Sequence, residues 1–417
     1  MSSVKFIHCA DLHLGSPFKG IGNSNPELAA ALAAATFTAF ENIVVLALER
    51  KVDFLLIAGD VFDNADRSLK SRLFFREQLE KLDAEDIKCF IVCGNHDPLS
   101  SWSRSVGLPG NTFIFDSAKP QTRIVERGGL EIAAVCGMSF GSAKVSANLA
   151  AKFKRERSDL PAIALLHANI DNSSEENYAP AMLADLEKGN FDYWALGHVH
   201  SFAVLKSAFP AVVYPGCPQG TSPRETGVKG CCLVEIKNGS APEIKDFAVD
   251  VIRYAELEIS INGVKTFEKL FALTNAACKK LAAENGGRQT VVRLKFSGRG
   301  VLNKELRAET ANGELTEHFE QEVEAFSEMF FLNRIELATG DDYDLEELTR
   351  NSGFIADLTA CAEELDEEDM EKIKQAVMEV YKKCRIDAKS FDESSLPGII
   401  EDAKRLALDK LLEGSGK

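Results

Sequence analysis

Absences set the first limits on this chain. Its ten cysteines include no Cys-x-x-Cys pair, which argues against a zinc finger, a thioredoxin-like motif or a disulfide framework. No run of about 18 consecutive apolar residues occurs, so no transmembrane helix and no membrane partner are expected. The opening residues 1–9 lack the charged and apolar regions of a signal peptide, and a cytoplasmic location is expected. There is no internal repeat and no low-complexity tract. Positive charge is scarce: 48 Lys and Arg stand against 64 Asp and Glu, a net charge of −16. Taken whole, that balance opposes binding to nucleic acid or to an anionic membrane.

What is present is an ordinary globular composition, 45% hydrophobic and 27% charged over 417 residues, enough for two or three domains. Up to about residue 250, brief apolar runs alternate with helical segments. Runs at 4–9, 53–58, 88–93, 162–167 and 193–196 read as buried strands, each followed by polar or glycine punctuation. A helix is expected over 26–50, with Asn25 as its N-cap and Pro26 in the first position, and another over 68–82. This alternation implies a largely parallel sheet. Runs at 212–214, 231–236 and 244–247 close it with antiparallel strands. From 251 the texture becomes α+β: strands at 255–261 and 290–296 around a helix over 266–283, then a helix at 314–324 and a strand at 330–337. After 341 the pattern is helical, over 353–365, 367–383 and 397–412. The division expected is therefore 1–250, 251–340 and 341–417.

Five clusters place metal-type ligands just after predicted strands: Asp11 and His13; Asp60 and Asp63; Asn95, His96 and Asp97; His167; and His198 and His200. In a parallel sheet the carboxyl ends of strands line one edge, so clusters distant in sequence can converge. Alone, each has a plain alternative: a surface pair, a satisfied core histidine, or for Asp97 a turn cap before Pro98. Together, imidazole, carboxylate and amide suit manganese, iron or zinc better than calcium or magnesium alone. Seven ligands, Asp11, His13, Asp60, Asn95, His167, His198 and His200, suffice for two ions if Asp60 bridges.

With these motifs the sequence resembles the calcineurin-like metallophosphoesterase superfamily. The opening FIHCADLHL and the segment YPGCPQGTSPRETGVKG at 214–230 resemble more narrowly the bacterial DNA-repair exonucleases of the SbcD and YhaO type. The superfamily likeness covers 5–200 and the narrower one extends to about 250. It implies an α/β fold, a four-layer α/β/β/α sandwich with a small α+β capping domain and a helical C-terminus. It also implies two divalent metal ions, manganese foremost with iron, zinc or magnesium as alternatives, and a bridging hydroxide nucleophile. Asp11, His13, Asp60 and His200 would hold one ion; Asp60, Asn95, His167 and His198 the other. His96 would assist the leaving oxygen, and Asp63 would orient it.

The implied activity is a DNA exonuclease acting in repair. The alternatives are a phosphodiesterase for cyclic nucleotides or another small diester, and a non-catalytic scaffold. Asn64-Ala65 and Asp97 depart from the protein-phosphatase motifs. Net charge is −5 over 1–250, +5 over 251–310 and −16 over 311–417. Arg293, Arg299 and Lys304 in the basic segment, with Arg224, are the candidate DNA contacts. The acidic run from Glu363 to Glu371 precedes an apolar stripe of Met370, Ile373, Ala376, Val377 and Val380, which is either internal core or a partner surface. The resemblance implies an SMC-like coiled-coil ATPase partner docking on the C-terminal helices, and a possible homodimer through core helices.

Overall fold

The computed structural model describes residues 3–16, 18, 26–63, 68–104, 107–171, 178–237, 240–326, 330–343, 345–383 and 391–414. The expected N-cap Asn25 and the pair Asn64-Ala65 lie outside the described residues.

The chain opens with β1 (Ser3–Cys9), α1 (Pro26–Arg50), β2 (Phe54–Ala58), α2 (Leu69–Asp83), β3 (Lys88–Val92) and β4 (Thr112–Ile114). It continues with β5 (Gln121–Arg127), β6 (Leu130–Met138), β7 (Ala162–His167), α3 (Leu183–Glu187), β8 (Tyr193–Gly197), β9 (Ala203–Lys206) and β10 (Ala211–Tyr214), then β11 (Gly230–Lys237) and β12 (Glu243–Ala248). These strands form two six-stranded sheets, ordered β12-β11-β1-β2-β3-β4 and β5-β6-β7-β8-β10-β9. Strands β1 to β4 run parallel, and β11 joins β1 antiparallel. In the second sheet β6, β7, β8 and β10 are parallel, with β5 and β9 antiparallel at the edges.

Side-chain alternation along the strands creates three apolar layers. Phe6, Phe54, Leu56 and Phe90 of the first sheet meet Val135, Ile163, Leu165 and Tyr193 of the second. The outer face of the first sheet, with Ile7, Leu55, Ile57 and Ile91, packs under α1 and α2 through Phe40, Ile43, Val44, Phe75 and Leu79. The outer face of the second sheet is covered by Leu186 of α3 together with Leu149 and Phe153. The four-layer α/β/β/α sandwich is thus borne out. Two packed sheets replace the single sheet that strand–helix alternation alone implies.

Between the layers, His8 sits fully buried, its Nδ1 3.0 Å from Tyr193 Oη and its Nε2 3.1 Å from Leu196 O. Burial lowers its pKa to about 3, so it is a neutral tie between sheets. Helix α1 over 28–50 is long and apolar enough to cross a membrane by composition. Here its stripe of Leu28, Leu32, Ala35, Ala39, Phe40, Ile43 and Ala47 is buried within the protein. Helix α2 is capped by Ser68, Ser71 N donating to its Oγ at 3.0 Å.

The rest comprises β13 (Ile252–Ser260), α4 (Phe267–Glu284), β14 (Gln289–Arg299), α5 (Asn303–Asn312), α6 (Glu314–Phe326) and β15 (Phe330–Gly340), followed by α7 (Leu345–Asn351), α8 (Gly353–Glu363), α9 (Glu367–Lys383) and α10 (Leu396–Gly414). A third sheet is ordered β13-β14-β15. The chain divides into two compact units, one of Met1–Leu257, Asn275–Leu294 and Phe319–Ile335, the other of Glu258–Thr274, Lys295–His318 and Glu336–Lys417. Asp366 caps α9, accepting from Asp369 N at 2.9 Å. The α9 stripe is covered unevenly: Met370, Ile373 and Val377 are half-buried, while Ala376 and Val380 are exposed.

Candidate metal centre and active site

All seven candidate ligands emerge at carboxyl ends of parallel strands in the two central sheets. Asp11 and His13 follow β1, Asp60 follows β2, and Asn95 and His96 follow β3; His167 ends β7, and His198 and His200 follow β8. Backbone contacts stitch the two edges together. His198 N donates to both Asp11 carboxylate oxygens at 3.1 and 3.0 Å, and His167 Nδ1 lies 2.9 Å from Ala58 O. The loops turn sharply: Asp11, His13, Asp60 and His198 have φ of 53°, 44°, 52° and 102°. Non-glycine residues rarely adopt such values, and they cluster where a site imposes them. Gly94 completes the closeness, for a Cβ there would lie 2.2 Å from Asp60 Oδ1.

The donor chemistry shows what these side chains can hold. His167 Nδ1 faces a carbonyl and must donate to it, which leaves Nε2 as its ligating nitrogen. Nε2 lies 2.9 Å from Asn95 Oδ1 and 3.5 Å from Asp60 Oδ2. Three atoms of metal-ligating type therefore converge on one point. Likewise His13 Nε2 and His200 Nε2 face each other at 3.3 Å, while their Nδ1 atoms address the carboxylates of Asp63 and Glu225. Ligand atoms of Asp11, His13 and His200, and those of Asp11, Asp60 and His167, lie within 4.8 Å of one another. Acceptors massed in this way suit divalent cations. His198 belongs to neither group; its ring stands against those of His167 and Tyr178. Burial and the neighbouring His167 lower its pKa to about 4, so it is neutral and able to ligate.

Burial and neighbouring charge pull the two buried carboxylates of the centre in different directions. Burial pushes the Asp11 carboxyl up. For Asp60 burial pushes the same way, but the neighbouring His167, His13 and His96 prevail and hold the carboxyl low. Against burial, the hydrogen bond to Glu225 raises His200 to about 9, so binding a cation at its Nε2 must release a proton.

Beside the ligands, His96 Nδ1 lies 2.5 Å from Asp63 Oδ1. The Asp63 carboxylate also faces His13 Nδ1 at 3.5 Å and accepts from Ser16 Oγ at 2.5 Å. These bonds, those to His13 and His96 foremost, hold Asp63 well below the usual carboxylate range. In return the Asp63 bond raises His96. With 42% of its side chain exposed, His96 faces solvent beside the ligand cluster, and the Asp63 bond favours its protonated form.

Two carboxylates do more than sequence reasoning assigns them. Asp97 is fully buried and accepts from the backbone N–H groups of Asp60, Val61 and Gly94 at 3.2, 2.9 and 2.9 Å. It ties the loop after β2 to the loop after β3, so the turn-capping reading holds but reaches further than its own turn. Glu225, which sequence reasoning missed, contacts His200. Its only sequence signal was its place in the 214–230 segment.

The four basic candidates have varied surroundings. The Arg299 guanidinium donates to the Asp409 carboxylate and to Asp341 O, and stacks over Tyr343 at 4.5 Å. It is engaged by the chain itself. Arg293 pairs with Glu256 at 3.3 Å. Lys304 is 83% exposed, 3.8 Å from Asp341. Arg224 is exposed and adjoins Glu225.

Known proteins resemble this chain along most of its length. A family described as calcineurin-like phosphoesterase matches residues 4–202, and the middle domain of metallophosphoesterase YhaO matches 254–340. The chain is 33% identical over 408 residues to "Uncharacterized metallophosphoesterase YhaO" of Bacillus subtilis (strain 168), covering 97% of each. It is 26% identical over 247 residues to the DNA double-strand break repair protein Mre11 of Thermoplasma acidophilum, covering 56% of this chain and 62% of that one. Among solved structures, TT1561 of Thermus thermophilus aligns over 60% of this chain and 100% of its own, with 12% identity and a TM-score of 0.37. Near-full-length identity to the Bacillus protein, with both family matches in order along the chain, settles the relationship: this chain belongs to the YhaO family of calcineurin-like metallophosphoesterases and is a phosphoester-hydrolysing enzyme.

Proposed function

We propose that the chain is a metal-dependent DNA exonuclease acting in DNA repair, cleaving phosphodiesters at a centre of two divalent ions, manganese foremost. The observation that carries the reading is the convergence of imidazole nitrogens, carboxylates and an amide oxygen at His167 and at the His13–His200 pair, next to His96 with its Nδ1 on the Asp63 carboxylate. One ion would be held by Asp11, His13, Asp60 and His200, the other by Asp60, Asn95, His167 and His198, with Asp60 shared. Held there, such ions would supply Lewis-acid polarisation of the phosphoryl group and a nucleophilic water at neutral pH. His96 donates its Nε2 proton to the departing oxygen, and Asp63 keeps that proton available by holding Nδ1. DNA as the substrate is supported by likeness to proteins named for double-strand break repair.

Lys304 and Arg224, both exposed, are the candidates best placed to meet phosphates. Neutralising phosphates makes affinity fall with salt. A coiled-coil SMC-like ATPase is the proposed partner for the helical C-terminus. The incompletely covered α9 stripe supports that assignment, as does the family likeness.

The test is digestion of end-labelled single-stranded and duplex DNA, with cyclic nucleotides as competing substrates, by wild type and His96→Ala. Manganese-dependent shortening of DNA by wild type is expected, with a loss of about 100-fold or more in His96→Ala at unchanged metal content. Hydrolysis of cyclic nucleotides with DNA left intact would refute the nuclease. Activity within a few-fold in His96→Ala would remove the role of His96.

A further inference from the structure

We infer that Glu225 is the positioning residue that sets the tautomer of His200 and thereby creates one of its metal-ligating lone pairs. The inference rests on the reading above that His200 holds an ion. The two oxygens of the Glu225 carboxylate have separate tasks. Oε1 accepts from His200 Nδ1, while Oε2 accepts from Thr221 N at 2.7 Å, Ser222 N at 3.0 Å and Thr221 Oγ1 at 3.3 Å. One carboxylate thus folds the 221–225 turn around itself and points that turn at the imidazole. With the Nδ1 proton held by Glu225, Nε2 is the nitrogen left to take an ion, and it lies beside His13 Nε2 and the Asp11 carboxylate.

The other side of the residue is clamped as well. His200 O accepts from Cys217 N at 3.3 Å, from the Cys217 thiol at 3.6 Å and from Lys229 Nζ at 3.2 Å. Lys229 is buried. A lysine stem taken out of water to bind a single carbonyl makes sense where that backbone position must not drift. The ring and its backbone are therefore fixed independently. Outer carboxylates that orient a ligating histidine in this way typically contribute about 10- to 100-fold in metal affinity.

The arrangement makes an amide a poor substitute for the acid. Glutamine at 225 has one acceptor oxygen where the wild type uses two. If that oxygen serves the turn, the amide N–H faces His200 Nδ1 and drives the proton to Nε2, where it blocks the ion. If the oxygen serves His200, the turn loses its acceptor.

The experiment compares wild type, Glu225→Gln, Glu225→Ala and His200→Ala as full chains. Manganese affinity and stoichiometry are measured by equilibrium dialysis. The proton on His200 Nδ1 is followed by histidine-selective 15N NMR of the zinc-loaded, diamagnetic protein. The expected result is that His200→Ala loses one ion per chain. Both Glu225 variants should bind that ion about 10- to 100-fold more weakly, and in Glu225→Ala the downfield, slowly exchanging Nδ1 proton of wild type should disappear. A purely structural role for Glu225 would leave that resonance in place in any folded variant. If Glu225→Ala does not fold, the isosteric Glu225→Gln carries the comparison. If His200→Ala loses an ion while Glu225→Gln keeps its affinity within about two-fold and retains the Nδ1 proton, the inference is overturned and the metal-centre reading stands. If His200→Ala keeps both ions, the ligand assignment falls and the inference with it.

Discussion

Gly94 gives the sharpest test of how tightly the centre is built. Replacing it with alanine adds one methyl group whose carbon would sit 2.2 Å from Asp60 Oδ1, 2.9 Å from Asp60 Cγ and 3.0 Å from Asp60 N. Ordinary contact begins near 3.4 Å, so the carboxylate would have to retreat by more than 1 Å. Rotating the side chain cannot relieve the clash completely, because the backbone nitrogen is also too close. Nor is the carboxylate free to leave, since Oδ1 accepts from His96 N at 2.9 Å. The Gly94 backbone is itself anchored by Asp97 at 2.9 Å. Overpacking of this kind costs about 1–3 kcal/mol, which in a domain of this size lowers Tm by roughly 2–12 °C. Displacing a reacting group by an ångström costs on the order of 100-fold in rate. Gly94→Ala should therefore fold, lose at least one bound ion and hydrolyse phosphodiesters about 100-fold more slowly. Scanning calorimetry, metal analysis and a chromogenic diester assay would measure the three effects. Gly110→Ala, which meets nothing within 4 Å, is the control and should match wild type. A Gly94→Ala protein with both ions bound and activity within about three-fold would refute the reasoning, because a carboxylate that can move about 1 Å without consequence holds no ion.

Two further predictions concern the neighbouring carboxylates. Asp63→Asn keeps the shape but removes the charge that raises His96. Because a raised histidine contributes stability below about 6.5 and loses it as pH rises through its folded value, the alkaline limb of kcat should move to lower pH. Asp63 itself is lowered, so the ion pair stabilises above the ordinary carboxylate range near about 3.9 and fades only in stronger acid. The stability deficit of the variant should therefore peak between about pH 4 and 6.5, and a deficit that grew above that window would sink the assignment. Asp97→Asn leaves at least one of three buried backbone N–H groups facing an amide donor. That should cost about 1–3 kcal/mol in urea unfolding, with equal stability to within about 0.3 kcal/mol, on the order of a mild surface change, as the refuting result.

The centre was legible in the sequence because its chemistry sits at strand ends, and strand ends are marked by local pattern. Asp-x-His after 4–9 and Gly-His-x-His after 193–196 need no long-range knowledge to be noticed. The roles of Glu225 and Asp97 were hidden because their partners lie 25 and 36–37 residues away. The hairpin of β5 and β6 went unpredicted although Gly128-Gly129 separates its strands, since Gln121–Arg127 is an edge strand carrying charges on both sides. Arg299 is the converse case. A basic residue in a basic segment looked like a phosphate contact, and only the fold brings Asp409, 110 residues on, against it.

The left-handed backbone at Asp11, His13, Asp60 and His198 sets the molecule's capacity for change. Each such residue holds roughly 1 kcal/mol or more of conformational strain, maintained by the strands that flank it. Glycine at those positions would relieve that strain, but at Asp11 and Asp60 it would also strip the acceptors from His198 N and His96 N. Relief of strain and loss of the site therefore run in the same direction only at His13 and His198. A lineage freed from the need to hydrolyse phosphoesters would be expected to lose those two side chains first.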